Sequence, residues 1–174
     1  MLFRSREVGT LEQLLVSPLQ PAELIAGKTI PFALVGLLDI ALVTTLALVW
    51  FGIPFRGSPL LLFGAGILFL LPALGLGLLI STIATTQQEA FLSCFMAYMP
   101  TMLLSGFMFP VSSMPAVFQW LTLLNPLRHY LEIVRGVFLK GSGLEALWPQ
   151  CLALLLIGVV LLTVAGWRFR KGTV

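Results

Sequence analysis

Four apolar stretches, each about as long as a bilayer crossing, take up most of this 174-residue chain. They run over residues 31–51, 59–80, 90–109 and 149–167. A crossing helix needs roughly 20 such residues, because the hydrocarbon layer is about 30 Å thick and a helix rises about 1.5 Å per residue. The chain is 59% hydrophobic and 10% charged. Soluble domains run about 45–50% apolar and about 25% charged, and have too little interior to hide this excess. The sequence therefore predicts an all-α polytopic membrane bundle with four transmembrane helices, short helices on one side and a charged helix in front.

Details within the stretches refine this outline. Pro21 is a good first helical residue and opens the approach to the first span. Asp39 lies near the middle of that span. Pro72 interrupts the second span, and Ala73 and Gly77 form a small-xxx-small pair suited to close helix packing in lipid. The link 81–89 is too polar for hydrocarbon. Trp148 and Trp167 bracket the fourth span, as amphipathic rings do at membrane interfaces. Between the third and fourth spans, residues 110–143 hold two short helix candidates. One begins near Pro115. The other begins at Pro126, with Asn125 as N-cap and Gly141 as stop. In the second, Leu127, Tyr130, Leu131, Val134, Val137 and Phe138 oppose Arg128, Glu132 and Arg135, and Arg128 and Glu132 are spaced to pair. Such a helix lies at the interface or dips into the membrane.

Arg4, Arg6 and Lys28 precede the first span, and Arg168, Arg170 and Lys171 follow the last. Arg56, Arg128, Arg135 and Lys140 fall on the other side. The basic excess puts both termini in the cytoplasm. The net charge of +3 is scattered and points to topology, not to nucleic acid. The N-terminus starts with charge where a signal peptide would have its apolar core. Cys94 and Cys151 sit inside apolar stretches and suit packing roles.

The charged front segment, residues 4–17, reads as a short amphipathic helix. Val8, Leu11, Leu14 and Leu15 share one face; Arg6, Thr10, Gln13 and Ser17 oppose them. Pro18 ends it. Its polar side mixes Arg4 and Arg6 with Glu7 and Glu12. A lipid anchor usually carries Lys and Arg there. Docking on a protein and anchoring in lipid both remain open from chemistry alone.

The run SREVGTLEQLLVSPLQPAELIAGK resembles the segment that opens the C-terminal half of ABC-2-type transporter permeases, the bacterial multidrug-efflux subgroup in particular. Glu7, Gly9, Thr10, Glu12 and Pro18 match its coupling-helix pattern. ISTIATTQQEA, LLSGFMFPVSSMP, LNPLRHYLEIVRGVFLKG and RFRK resemble the same family in the same order. The resemblance implies one ABC-2-type permease region over residues 1–174, with a coupling helix at 4–17 that docks on an ABC ATP-binding protein through Glu7, Gly9, Thr10, Glu12, Gln13 and Pro18. It implies a second permease half as partner and short helices, carrying Asn125, Pro126, Arg128, Glu132 and Arg135, at the outer mouth of the pathway. The expected location is the plasma membrane, the inner membrane of a bacterium. ATP and Mg²⁺ would be bound by the partner subunit and no cofactor by this chain. Family permeases carry about two further spans before the coupling helix, so the chain is expected to be a fragment, a truncated product or half of a split permease. A truncated remnant or a membrane scaffold without transport of its own is the alternative reading.

Other features carry less. Gly27-Lys28-Thr29 looks like the end of a phosphate-binding loop, but Ala22 stands where that loop needs glycine. His129 lacks neighbouring ligand types and is expected at a surface or interface. No nucleophile–base pair appears, so enzymatic chemistry is not expected. Asp39 is either a hydrogen-bonded strut between helices or a polar point on a substrate path. Phe91, Phe95 and Tyr98, with Met96, Met99, Met102 and Met108 nearby, form either packing surface or an adaptable apolar wall for hydrophobic substrates. Phe95, Tyr98 and Met102 are the candidates on that wall.

Overall fold

A computed structural model of the chain describes residues 21–171, six α-helices with no strand among the described residues. The predicted front helix, residues 4–17 with Pro18, lies outside the described residues. Helix α1 spans Pro21–Val49, α2 Pro59–Ile83, α3 Gln87–Leu103, α4 Ala116–Thr122, α5 Pro126–Arg135 and α6 Leu144–Lys171. A 3₁₀ turn, Val111–Ser113, precedes α4, and a π-helical turn, Gly136–Lys140, extends α5.

Helix α1 is helical over Pro21–Val49 and runs through Pro31 without a break. Helix α2 begins at Pro59, where a missing N–H costs nothing, and stops at Ala84, whose backbone is extended. The polar link between α2 and α3 is shorter than the expected 81–89. Only residues 84–86 leave the helices. The Thr82 hydroxyl returns to the Leu79 carbonyl at 2.7 Å. A capping box between Thr86 and Glu89 starts α3 immediately after the link.

Segments Ile30–Val49, Pro59–Ile83 and Leu144–Arg168 are long and apolar enough to cross a bilayer. Helix α3, expected over 90–109, has 17 residues and ends at Leu103, so it is about 26 Å long. The reason is local. The Ser105 hydroxyl donates to Met102 O and accepts from Phe107 N, and Gly106 takes φ 79°, which a side chain would resist.

Close approaches fix the helix directions. A Cβ on Gly36 would meet a Leu70 side-chain atom at 2.6 Å, and one on Gly66 would meet Ile40 at 2.6 Å. Each helix thus takes a branched side chain of the other, and α1 runs antiparallel to α2. A Cβ on Gly158 would lie 2.7 Å from Leu71 Cβ and 3.0 Å from Pro72 Cδ; one on Gly75 would lie 2.9 Å from Leu161 Cβ. The order of these contacts makes α6 parallel to α2. The expected Ala73–Gly77 pair is not the one used here. Both residues are exposed, and nothing stands within 4 Å of a Cβ on Gly77. Gly75 and the fully buried Pro72 face α6 instead.

It follows that the start of α1, the 84–86 link and the end of α6 share one end of the bundle. The loop after α1 lies at the other end. There Arg56 N donates to Phe138 O at 3.4 Å, and the Phe55 and Phe138 rings meet edge to face at 4.9 Å. The core joins Leu62 and Ala65 of α2, Ile133, Val137 and Phe138 of α5 and its π turn, and Leu147 and Leu154 of α6. In lipid such a core gains little from water exclusion, so close packing and satisfied polar groups hold it.

Candidate functional site

The segment between α3 and α6 folds back as a helical hairpin whose tip lies deep along α6. Pro115 caps α4, and the Gln119 amide donates to Met114 O at 2.8 Å. Asn125 then caps α5 as expected, its side-chain oxygen accepting Leu127 N at 3.0 Å, with Pro126 in the first turn. Gly141, at φ 64°, stops the π turn. Asn125 lines a groove with Leu156, Ile157, Val160 and Leu161 of α6. Those residues lie about 12–20 Å along the helix from Trp148. With Trp148, which is exposed, at an interface, the hairpin tip reaches the bilayer interior.

At that depth polar groups must find partners within the protein. Arg128 and Glu132 form the predicted pair, Nε to Oε1 at 3.2 Å. Glu132 also accepts the Gln150 amide at 3.1 Å. The Arg128 guanidinium donates to the Thr122 hydroxyl, and Thr122 donates to Gln119 O at 2.7 Å. His129 Nε2 contacts Leu123 O at 2.8 Å. The histidine is buried within the chain, where its sequence context suggests a surface or interface. The hairpin turns its His129–Ile133–Val137 stripe inward, roughly 100° around the helix from the centre of the apolar face expected, which shares only Val137 with it. Tyr130 stacks on Phe69 of α2 with ring centroids 4.6 Å apart. Gln150 Oε1 is buried and has no partner among the described residues.

Two side chains tie the hairpin to α3. Asn125 Nδ2 donates to Thr101 O at 2.7 Å, and Arg135 donates to Gly106 O at 3.2 Å. The apolar groove beside this contact has a volume of about 570 Å³ and opens between α2, α3, the hairpin tip and α6. Its lining includes Leu76, Pro100, Leu104 and Leu124. Among the described residues no group of three His, Cys, Asp or Glu side chains could hold a metal ion.

The other sequence candidates fall elsewhere. Glu7, Gly9, Thr10, Glu12, Gln13 and Pro18 lie outside the described residues. Asp39 is exposed on α1, at the flank of the Gly36–Ile40 face that meets α2. Phe95 and Tyr98 are exposed on α3, and Met102 is half-buried. The structure thus brings Asn125, Pro126, Arg128, Glu132 and Arg135 together and leaves Asp39, Phe95 and Tyr98 on outward faces. Sequence reasoning missed Thr101, Thr122 and Gln150 as partners. Gln150, a polar residue just inside an apolar stretch, was the available signal.

The family model described as ABC-2 type transporter matches residues 1–139. The chain is 39% identical over 168 residues to the probable multidrug ABC transporter permease YbhR of Escherichia coli, covering 97% of this chain and 46% of that protein. It is 36% identical over 176 residues to the inner membrane transport permease YhhJ of Escherichia coli, covering 98% and 46%. A more distant relative, ABC transporter G family member 20 of Dictyostelium discoideum, is 26% identical over 159 residues, 90% of this chain and 22% of that protein. The chain spans about half the length of the bacterial relatives or less. No solved structure matches it.

Proposed function

The chain belongs to the ABC-2 type transporter family, and from that premise we propose that it serves as the C-terminal permease half of an ATP-driven exporter. The observation that carries this reading is the family match over residues 1–139, a stretch that includes the charged front segment. In this reading residues 4–17 form the coupling helix, and a separate ABC ATP-binding protein docks on Glu7, Thr10 and Glu12, with Gly9, Gln13 and Pro18 shaping the surface. That protein binds and hydrolyses ATP with Mg²⁺. The mixed charge of the segment supports docking on protein over anchoring in anionic lipid.

A second permease half completes the path, and the two switch between inward- and outward-facing states through differential contacts with the ATP-binding subunits. The substrates are hydrophobic, drug-like or lipid molecules. The exposed Phe95 and Tyr98 and the half-buried Met102 support an adaptable apolar wall. The location is the bacterial inner membrane, with α3 as a fourth crossing. The termini and the 84–86 link are cytoplasmic, and the hairpin is at the outer mouth.

The test is charge reversal in a complete transporter. Glu7→Lys with Glu12→Lys should weaken assembly with the ATP-binding subunit, or uncouple ATP hydrolysis from transport, while membrane insertion stays normal. Transport-coupled ATPase activity unchanged by both substitutions would refute the docking.

A further inference from the structure

We propose that α3 is a swinging helix held closed by two latches from the outer hairpin, and that Asn125 is the residue that positions it. Three observations converge on this.

The first is how little else holds α3. Its main packing neighbour is α2. Phe91, Leu92, Phe95, Met96, Tyr98, Met99 and Leu103 are exposed. On its α6 side it borders the open groove, where Pro100, Thr101 and Leu104 face Leu156, Ile157, Val160 and Leu161. Little side-chain packing therefore resists rotation of α3 about its link.

The second is where the latches act. The last carbonyls of a helix have no partner within it. Thr101 O and Gly106 O lie at the end of α3 and just beyond it. They receive Asn125 Nδ2 at 2.7 Å and the Arg135 guanidinium at 3.2 Å. Both donors come from α5, 24 and 29 residues further along the chain. Arg135 also places positive charge where the helix dipole is negative.

The third is the double use of Asn125, which is buried. Its oxygen caps α5 through Leu127 N while its nitrogen holds Thr101 O. One planar amide thus fixes the start of α5 to the end of α3. Outside water, an unpaired carbonyl is strongly disfavoured. The end of α3 is therefore stable when latched, or when water enters the groove and replaces the donors. Intermediate positions leave it unpaired, which makes the contact two-state. At the opposite end the capping box of Thr86 and Glu89 keeps the first turn of α3 intact, so the three-residue link can bend without unwinding the helix. That the swing serves substrate passage rests on the proposed permease role; the motion itself does not.

The experiment uses the full chain in lipid nanodiscs with paired spin labels. One label sits on Cys94 of α3 and the other on Leu152→Cys of α6, with Cys151→Ser. A control pair on Ile67→Cys of α2 and Leu152→Cys, with both native cysteines replaced by serine, reports the core. Asn125→Ser keeps an oxygen to cap α5 but is too short to reach Thr101 O. The latched chain should give one narrow α3–α6 distance distribution. Asn125→Ser should add a second, displaced population to that pair and leave the α2–α6 pair unchanged. Arg135→Gln, at an exposed side chain that contributes little packing, should give a smaller shift of the same kind and serves if Asn125→Ser fails to fold. A wild-type α3–α6 distribution in the folded Asn125→Ser chain would overturn the proposal. So would equal broadening of both pairs, since that is general loosening, and so would an unchanged distribution in Arg135→Gln if it is the only variant to fold. Loss of transport by Asn125→Ser placed in a complete transporter, with no distance change in this chain, would count against the latch, and normal transport despite the displaced population would count against its role in the permease reading.

Discussion

Gly158 of α6 lies so close against Pro72 of α2 that a Cβ added to it would stand 3.0 Å from the proline Cδ and 3.2 Å from its nitrogen. Gly75 of α2 makes the reciprocal approach, its added Cβ standing 3.1 Å from Leu162 N. Backbone atoms cannot rotate away as a side-chain tip can, so the two helices must part to admit a methyl group. Gly158→Ala should destabilise the bundle by about 1–3 kcal/mol, the usual cost of overpacking. Gly77→Ala, with open space around it, should be neutral or stabilising by up to about 1 kcal/mol through helix propensity. Thermal unfolding in detergent measures both. Equal effects would show that this contact is not the tight one.

The first turn of α3 should depend on pH. The Thr85 hydroxyl donates to Glu89 Oε2 at 2.7 Å, and the Thr85 and Thr86 N–H groups donate at 2.8 and 3.4 Å. These bonds, the hydroxyl first, hold the Glu89 carboxyl below its ordinary value of 4.5. A group depressed by folding contributes stability that is present in full above its unfolded value and lost as pH falls through its lowered folded value. Hydrogen exchange at Phe91 and Leu92, corrected for intrinsic rate, should therefore show constant protection from neutral pH down to about 4.5, and less below. Glu89→Ala should remove the pH dependence. A dependence that survives the substitution would place its origin elsewhere.

Much of this arrangement could be read from residue order alone, and the misses share a cause. Pro59, Asn125–Pro126 and Gly141 mark helix boundaries through rules that act within a few residues, and all three stand where expected. The Arg128–Glu132 pair is likewise local. What sequence reasoning could not supply was the choice among neighbours. Gly75 and Gly77 are alike in composition, and only the position of α6 selects Gly75. His129 has no ligand type near it in sequence and reads as a surface or interface residue, yet it is buried and Leu123 O satisfies it across the hairpin turn. The early end of α3 depends on Ser105 and Gly106 folding back, which an apolar run ending at Phe109 conceals.

Sidedness follows from the shared ends of the helices. The start of α1, the 84–86 link and the end of α6 lie together, so one label fixes all three. In a cysteine-free background, Thr173→Cys should resist an impermeant maleimide added to intact cells, and Ser142→Cys should react. The basic excess at the termini motivates this orientation. Labelling of position 173 from outside would invert it.

By itself the chain should not carry ATP-dependent flux. The groove of about 570 Å³ is open along α3, and wide apolar faces of α1 and α3 are uncovered, so the described residues do not enclose this groove as a path. Reconstitution with an ATP-binding subunit, without the remaining length found in its relatives, should give flux no greater than empty vesicles. Robust flux would contradict this and require the path to form between copies of this chain alone.

Asp39 presents the sharpest mismatch between placement and surroundings. As a polar group at mid-span it was expected to point into the bundle or toward a second permease half. Among the described residues it does not enter the bundle interior. Helix α1 turns Gly36 and Ile40 toward α2, which leaves Asp39 exposed among Leu38, Leu42 and Val43, themselves exposed. Among the described residues it has no hydrogen-bond partner, and an acid at such a depth costs about 2.5–3.5 kcal/mol on insertion scales. In the chain alone, Asp39→Leu should therefore improve insertion by about that amount. In a complete transporter the expectation reverses. If a second permease half supplies a donor, Asp39→Asn should assemble normally and Asp39→Leu should lower dimer yield. If the carboxylate lines the substrate path, Asp39→Asn should instead reduce transport of cationic substrates with assembly intact. Pull-down between differently tagged permease copies, alongside transport of a cationic dye, separates these outcomes. Assembly, transport and thermal stability all unchanged in Asp39→Leu would show that the residue faces lipid in the working transporter and that neither role is real.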